Sequence, residues 1–382
     1  MSSIKSSEIW KNIAVVASAS IIGVGLFLAV DFFFGARILE LPTKVLSLEE
    51  KPYFEKEDGW YELKPNFVGY DQLGPYMYEV ETNSFGFRKE PRTADPKKYD
   101  VLFLGDSFVY GANGRWENTF VGMFSKSSSL SVLNGGVGSY SPTAYLYQYK
   151  KALQLGLLGR GHTIVVAVDI SDVQDEAGIW IDGDLHPRKT EDELLNRPLA
   201  SEAVGSFRLR MKESFPLIRT IFRFIRHYVF DPDLRSPTTL INLPRSAFTH
   251  QEWSTLEKKN AWAAPHEGYA PLGVAGGLEK IERKISEISQ LAKSNDAKLY
   301  LLVYPWPAQI ANKDKFSWSD FMSGFCLKIS CDGVIDTIPV FRDLALKETD
   351  WMEKYYIRGD IHFTTKGNRI VADKLVEVIP HK

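Results

Sequence analysis

Short, mainly apolar runs recur along the chain, at Val101–Leu104, Leu130–Leu133, Thr163–Val168 and Leu299–Tyr304, with a weaker one at Val334–Ile338. Longer stretches of helical character, such as Pro142–Gly156 and Leu278–Ser294, lie between them. A run that is apolar at every position suits a strand buried on both faces, as in a parallel sheet covered by its crossover helices. The strand-helix alternation with right-handed crossovers therefore predicts an α/β fold, a three-layer α/β/α sandwich around a roughly five-stranded parallel sheet.

Two regions break this rhythm. From Ile13 to Val30 there is no charged residue, and Asp31 is followed by Phe32, Phe33 and Phe34. A helix of this length approaches the roughly 30 Å of a bilayer's hydrocarbon core. The run has no polar face and follows a short tail with Lys5 and Lys11, so a single membrane helix over residues 13–34 is the preferred reading; a buried core helix is the alternative. No small-x-small site appears in Phe33–Arg37, so the segment is expected to stay as an anchor, not to be cleaved. The tail is placed inside and the bulk of the chain outside, in the periplasm or beyond the cell. Arg37, Lys44 and Lys51 weaken the positive-inside bias and leave the opposite orientation open.

The second break runs from about 176 to 275 and is too long for a simple crossover. It is read as an insertion over the ligand-binding edge of the sheet, in the position of a lid. Within it Ile218, Phe222, Ile225 and Val229 recur at helical spacing while Arg219, Arg223 and Arg226 line another face. Such a helix either covers the core or lies on anionic lipid. The resulting division is a tail and anchor (1–36), an irregular strand-containing collar (37–95) and a catalytic domain (96–382).

Composition narrows the function classes. The chain has 382 residues, 44% hydrophobic and 25% charged, which fits a folded globular protein. Lys and Arg total 46 against 48 Asp and Glu, so no global cationic field exists to hold nucleic acid. The two cysteines, Cys326 and Cys331, either close a small loop in an oxidising compartment or remain free thiols. No Cys/His cluster suggests a metal, and no cofactor is expected. Asp172, Asp175 and Glu176 read as a solvated turn in preference to a cation site.

Ser107 stands in Leu104-Gly105-Asp106-Ser107-Phe108-Val109-Tyr110-Gly111, at the end of the first core run, where open α/β sheets place reactive groups. A serine hydroxyl needs a base to take its proton and a carboxylate to orient that base. Gly359-Asp360-Ile361-His362-Phe363-Thr364-Thr365 supplies both, with Asp360 turning to the imidazole Nδ1 and leaving Nε2 for Ser107. A helix beginning near Thr364 or Thr365 would pin that loop. Asp184-Leu185-His186 is a competing pair inside the insertion, and a simple loop histidine is a further reading of His362.

Taken together, these motifs resemble the SGNH, or GDSL-like, hydrolase superfamily. Ser107 in Gly-Asp-Ser is similar to its first block, Asn134-Gly135-Gly136-Val137-Gly138-Ser139-Tyr140 to its second, and Asp360 with His362 to its last. Asn83-Ser84-Phe85-Gly86-Phe87-Arg88 resembles a collar element of membrane-anchored bacterial members. The resemblance implies a five-stranded parallel sheet, a Ser-His-Asp triad and ester chemistry on acylated sugars or lipids. It also implies an oxyanion hole from the backbone N–H of Ser107 with that of Gly138 or Ser139, assisted by Ser171.

Departures from the family pattern qualify this. The oxyanion glycine aligns with Ser139, one place after Gly138, and Ser171 stands where an Asn would donate. The Asp-x-His spacing is similar to that of exported polysaccharide O-acetyltransferases of the alginate type, where a sugar hydroxyl, not water, collects the acyl group. Trp306, in Tyr304-Pro305-Trp306-Pro307 at the same sheet edge, is expected either to stack on a sugar ring or to pack against the insertion. The expected function is a membrane-anchored serine esterase acting on O-acyl groups, chiefly O-acetyl, of a cell-surface glycan or lipid. The alternatives are an O-acetyltransferase, whose acyl-donor partner the sequence does not identify, and a catalytically silent scaffold on the same fold.

Overall fold

A run without a polar face needs an apolar environment on all sides, and the N-terminal one forms α1 (Ser2–Ile38). The computed structural model describes residues 2–38, 51–55, 61–71, 77–112, 114–178, 180, 217–218, 269, 271–311, 317–357 and 361–380. The chain gathers into two compact units, one of residues 1–45 with 196–241 and the other of 46–195 with 242–382.

In the first unit, Trp10–Phe34 of α1 is 25 residues long and apolar enough to cross a membrane, a measure that a signal sequence also meets. At 1.5 Å per residue it spans roughly 37 Å. Val15, Ile21, Leu26 and Phe33 are all exposed, so apolar side chains point outward around the helix. A soluble protein's core helix would bury such residues. Asp31 is the exception: it is fully buried, and its two carboxylate oxygens accept the backbone N–H groups of Leu217 and Ile218, each at 2.8 Å.

The second unit is built on strands. A two-stranded antiparallel sheet pairs β1 (Tyr53–Glu55) with β2 (Tyr61–Leu63). The main sheet holds β3 (Val68–Asp71), β4 (Tyr78–Thr82), β5 (Arg88–Lys89), β6 (Tyr99–Leu104), β7 (Val132–Asn134), β8 (Leu158–Val168), β9 (Lys298–Val303) and β10 (Gly333–Asp336). Their spatial order is β10-β9-β8-β6-β7-β5-β4-β3. The five strands from β10 to β7 are parallel, as the apolar runs predict. The three collar strands add to the β7 edge in antiparallel fashion. The collar strands thus share one sheet with the strands beyond residue 95, and alternate residues of β4, Tyr78, Val80 and Thr82, are buried.

Helices cover both sides. In chain order they include α2 (Ser107–Tyr110), α3 (Phe120–Ser128), α4 (Pro142–Gln154), α5 (Ser171–Gly178), α6 (Gly273–Ser294), α7 (Trp318–Ile329), α8 (Ile338–Lys347) and α9 (Thr365–Val378). α6 packs against α4, α5 and α7, while α9 packs against α3. Leu102–Leu104, Ile164–Val168 and Leu301–Val303 are buried on both faces between these layers. Cys326 and Cys331 are joined, with Cα atoms 5.1 Å apart, tying the end of α7 to the approach to β10.

β8 is longer than its apolar run. It begins at Leu158 and pairs with Tyr99 before a register shift, although Gly159, Arg160 and Gly161 interrupt the pattern. α5 and α6 occupy the two margins of the expected insertion. Asp184, His186, Arg219, Phe222, Arg223, Ile225, Arg226 and Val229 lie outside the described residues.

β6 and β8 are neighbours, and the connection leaving β6 leads to β7 on one side while that leaving β8 leads to β9 on the other. A crevice at the carboxyl ends of the strands follows from that order, with Ser107 three residues beyond β6.

Candidate active site

Ser107 opens α2 immediately after a sharp turn. Asp106 caps this one-turn helix, its Oδ1 accepting the N–H of Phe108 at 2.9 Å, and Gly111 ends it in the left-handed region at φ +84°. The second motif is laid beside this turn: Gly135 N–H donates to Phe103 O at 2.8 Å and Val137 N–H to Gly105 O at 3.3 Å.

His362 arrives from the other end of the sequence. Tyr356 and Phe363 form an antiparallel bridge, and the N–H of Ile357 donates to His362 O at 2.8 Å, so the histidine sits in a short returning loop. Thr364 then caps α9, its Oγ1 accepting the N–H of Gly367 at 3.3 Å. Aromatic rings fix the imidazole. Phe108 lies 4.8 Å from it, centroid to centroid, and Phe108 also packs on Tyr304 at 4.7 Å and Phe363 at 5.0 Å.

The outcome is a hydrogen bond between Ser107 Oγ and His362 Nε2 at 2.7 Å across 255 positions of sequence. His362 is 8% exposed and Ser107 half-buried, which keeps the pair largely dry while leaving the hydroxyl reachable. This is the geometry in which an imidazole can take a serine proton as the oxygen attacks a carbonyl. Asp360 lies outside the described residues.

Three acids are buried behind the pair. Asp106 accepts the Tyr304 hydroxyl at 3.0 Å. Asp169 accepts the Ser171 hydroxyl at 2.5 Å on Oδ1 and the Trp306 indole N–H at 2.7 Å on Oδ2. Asp172 accepts the backbone N–H of Asp169 at 3.0 Å and the Tyr145 hydroxyl at 2.9 Å. Burial, then the neighbouring charge of Asp169, pushes the Asp106 carboxyl up to about 8. Burial also raises Asp169, against the hydrogen bonds from Ser171 and Trp306, and raises Asp172 well above the carboxylate range with help from the Asp169 and Asp106 charges. Charge behind Ser107 is therefore smaller at neutral pH than three carboxylates suggest.

The other expected site residues fall as follows. Ser171 is half-buried, and its hydroxyl donates to Asp169. Ser139 is exposed with φ +58°, and Gly138 is half-buried with its carbonyl accepting the Tyr61 hydroxyl at 2.7 Å. Trp306 is 4% exposed and hydrogen-bonded to Asp169, so its indole supports the acid group and offers no open face to a sugar ring.

Glu176 belongs to packing. Its carboxylate accepts Ser141 Oγ and Thr143 N at the start of α4, both at 2.6 Å, and it pairs with the buried Lys280 at 3.1 Å. Among the described residues no group of three or more His, Cys, Asp or Glu could hold a metal ion.

Two contributors were hidden from motif reading. Asn134 Nδ2 donates to Val109 O at 2.8 Å, and Arg88 Nη1 donates to Tyr110 O at 2.6 Å. Both residues lie in sequence motifs, yet nothing in residue spacing tells which carbonyls they reach.

No family model and no curated protein matches the sequence. Solved structures with a similar arrangement include the acetyl xylan esterase AlAXEase, at 14% identity over 73% of this chain and 99% of that one, with a TM-score of 0.41. A catalytic mutant of an acetylxylan esterase from Geobacillus stearothermophilus is similar at 10% identity over 76% and 98%, with a TM-score of 0.38. A member of the lipolytic protein G-D-S-L family from Veillonella parvula is similar at 11% identity over 73% and 97%, with a TM-score of 0.36.

Proposed function

We propose that this chain is a membrane-anchored serine esterase of the SGNH type, acting on O-acyl groups, chiefly O-acetyl, of a cell-surface glycan or lipid. The observation that carries the reading is the 2.7 Å hydrogen bond from Ser107 Oγ to His362 Nε2 at the carboxyl end of a central parallel strand. Ser107 is the nucleophile, His362 the general base and then acid, and Asp360 the carboxylate that orients it. As Ser107 Oγ bonds to the acyl carbon, its proton passes to His362 Nε2 and the carbonyl π pair moves to oxygen. Backbone N–H groups of Ser107 and of Gly138 or Ser139 receive that oxyanion. Ser171 assists only when its hydroxyl turns away from Asp169. Collapse expels the alcohol, which takes the proton from His362, and leaves an acyl-serine that water cleaves by the reverse sequence.

The exposed apolar surface of α1 supports its reading as a single membrane-crossing helix. The Cys326–Cys331 link supports a soluble part in an oxidising compartment, the periplasm or cell exterior. The Asp360-x-His362 spacing favours a second reading, transfer of the acyl group to a sugar hydroxyl through the same acyl-serine.

The test uses purified full chain in detergent, with an aryl acetate as substrate and a serine-directed phosphonate as label. Turnover and labelling that both vanish in Ser107→Ala are expected. A folded wild-type chain with neither would overturn the reading in favour of a silent scaffold. Adding an oligosaccharide acceptor separates release of acetate from formation of an acetylated sugar.

A further inference from the structure

A helix of one turn cannot satisfy its own last carbonyls, so α2 depends on side chains from elsewhere. Asn134 Nδ2 takes Val109 O at 2.8 Å. Arg88 takes the next ones: Nη1 donates to Tyr110 O at 2.6 Å and Gly111 O at 2.8 Å, and Nη2 donates to Gly114 O at 2.7 Å. Arg88 and Asn134 are the residue pair through which β5 joins β7, so one point of the sheet supplies the whole set.

The guanidinium is committed to this task. Arg88 is 1% exposed, and its acceptors among the described residues are all backbone carbonyls, with Glu79 O the fourth at 3.4 Å. Its charge is further met by the faces of Tyr78 at 5.4 Å and Tyr110 at 5.1 Å. A buried cation facing a helix's carboxyl end is also favoured by the peptide dipoles.

Tyr110 is consequently gripped at three places. Its carbonyl is held by Arg88, its hydroxyl donates to Asp71 at 2.8 Å, and its ring packs against Tyr53 at 5.8 Å. Gly111 wraps around the cation: a Cβ there would come within 2.9 Å of Arg88 Nη1. Ser107 is one helical turn before Tyr110, and a single hydrogen-bonded turn moves as a rigid piece. A shift at Tyr110 therefore carries Ser107 Oγ away from His362.

We propose that Arg88 is a positioning residue for the Ser107–His362 pair, the collar's guanidinium setting where the nucleophile stands by holding the carbonyls of Tyr110, Gly111 and Gly114. This rests on the reading of Ser107 as nucleophile. The fork geometry matters, because one ammonium cannot span carbonyls that Arg88 reaches with two nitrogens.

Full chain in detergent is compared as wild type, Arg88→Met, Arg88→Lys and Ser107→Ala, well below each melting temperature. Aryl acetate kinetics and the phosphonate inactivation rate are measured. Arg88→Met is expected to lower kcat and the inactivation rate about a hundredfold, the cost of an ångström-scale misplacement, with KM within about twofold. Arg88→Lys is expected to recover part of that loss.

A folded Arg88→Met variant with kcat near wild type, or with a change confined to KM, overturns the proposal. If Arg88→Met does not fold, folded Arg88→Lys decides: lowered kcat supports positioning, unchanged kcat overturns it. Failure of both to fold makes Arg88 a requirement of the fold alone and overturns it as well. Wild-type turnover that survives Ser107→Ala instead removes the nucleophile reading, an outcome visible without any Arg88 variant.

Discussion

Asn134 bridges the Ser107 turn and its own motif: its Nδ2 donates to Val109 O at 2.8 Å while its Oδ1 accepts the N–H of Gly136 at 2.9 Å. One amide thereby locks the second motif onto the first. Asn134→Ala leaves both backbone groups buried without partners, at about 1–3 kcal/mol each. The expected result is a clear drop in the denaturant midpoint, together with slower phosphonate labelling of Ser107. An unchanged midpoint would show that water replaces the amide.

Gly136 makes the close approach that this lock requires. A Cβ on it would come 2.3 Å from Tyr110 N and 2.7 Å from the carbonyl carbon of Val109, both backbone atoms that cannot give way. Gly136→Ala is expected to abolish labelling or folding. Gly324, exposed within α7, has nothing within 4 Å of the added carbon. Gly324→Ala is expected to stabilise by about 1 kcal/mol through helix propensity, read as a raised melting temperature with turnover unaltered.

The parallel sheet was legible because β6, the second half of β8 and β9 are apolar at nearly every position. Ser107 was legible because Gly-Asp-Ser follows such a run, and His362 because a threonine-capped helix follows it. The first half of β8 was hidden by Gly159, Arg160 and Gly161, which lie between the pairing of Leu158 with Tyr99 and that of Thr163 with Val101. The collar strands, two to five residues long, carry too little pattern to assign to a sheet. Trp306 shows the limit for side chains. An aromatic at the ligand-binding edge suggests an open stacking face, yet its indole N–H turns inward to Asp169, and sequence cannot specify a partner 137 residues away.

Stability should fall as pH rises. The Asp106 carboxyl is held near 8 in the folded chain against an ordinary 3.8, so its contribution is complete below about 3.8 and is lost as pH rises through 8. Asp169 and Asp172 are displaced in the same direction. The melting temperature is expected to be higher at pH 5 than at pH 8.5. Asp106→Asn keeps an acceptor for the Phe108 N–H and should flatten that slope; an equally steep slope in the variant would remove Asp106 from the account.

Lys280 is nearly as buried as Glu176, and their 3.1 Å ion pair joins α6 to α5. Lys280→Met strands the carboxylate in the interior, at about 3–5 kcal/mol. Glu176→Gln added to it is expected to restore part of the loss, measured by chemical denaturation of both variants. A single variant as stable as wild type would mean that Ser141 and Thr143 suffice to hold the charge.

Because 255 residues separate the hydroxyl from its imidazole, a polypeptide made amino end first carries Ser107 long before it carries a base. Until the loop at His362 closes and α9 settles on α3, that oxygen is no more reactive than any surface serine. The meeting of hydroxyl and imidazole is thus withheld from a part-made chain by topology alone.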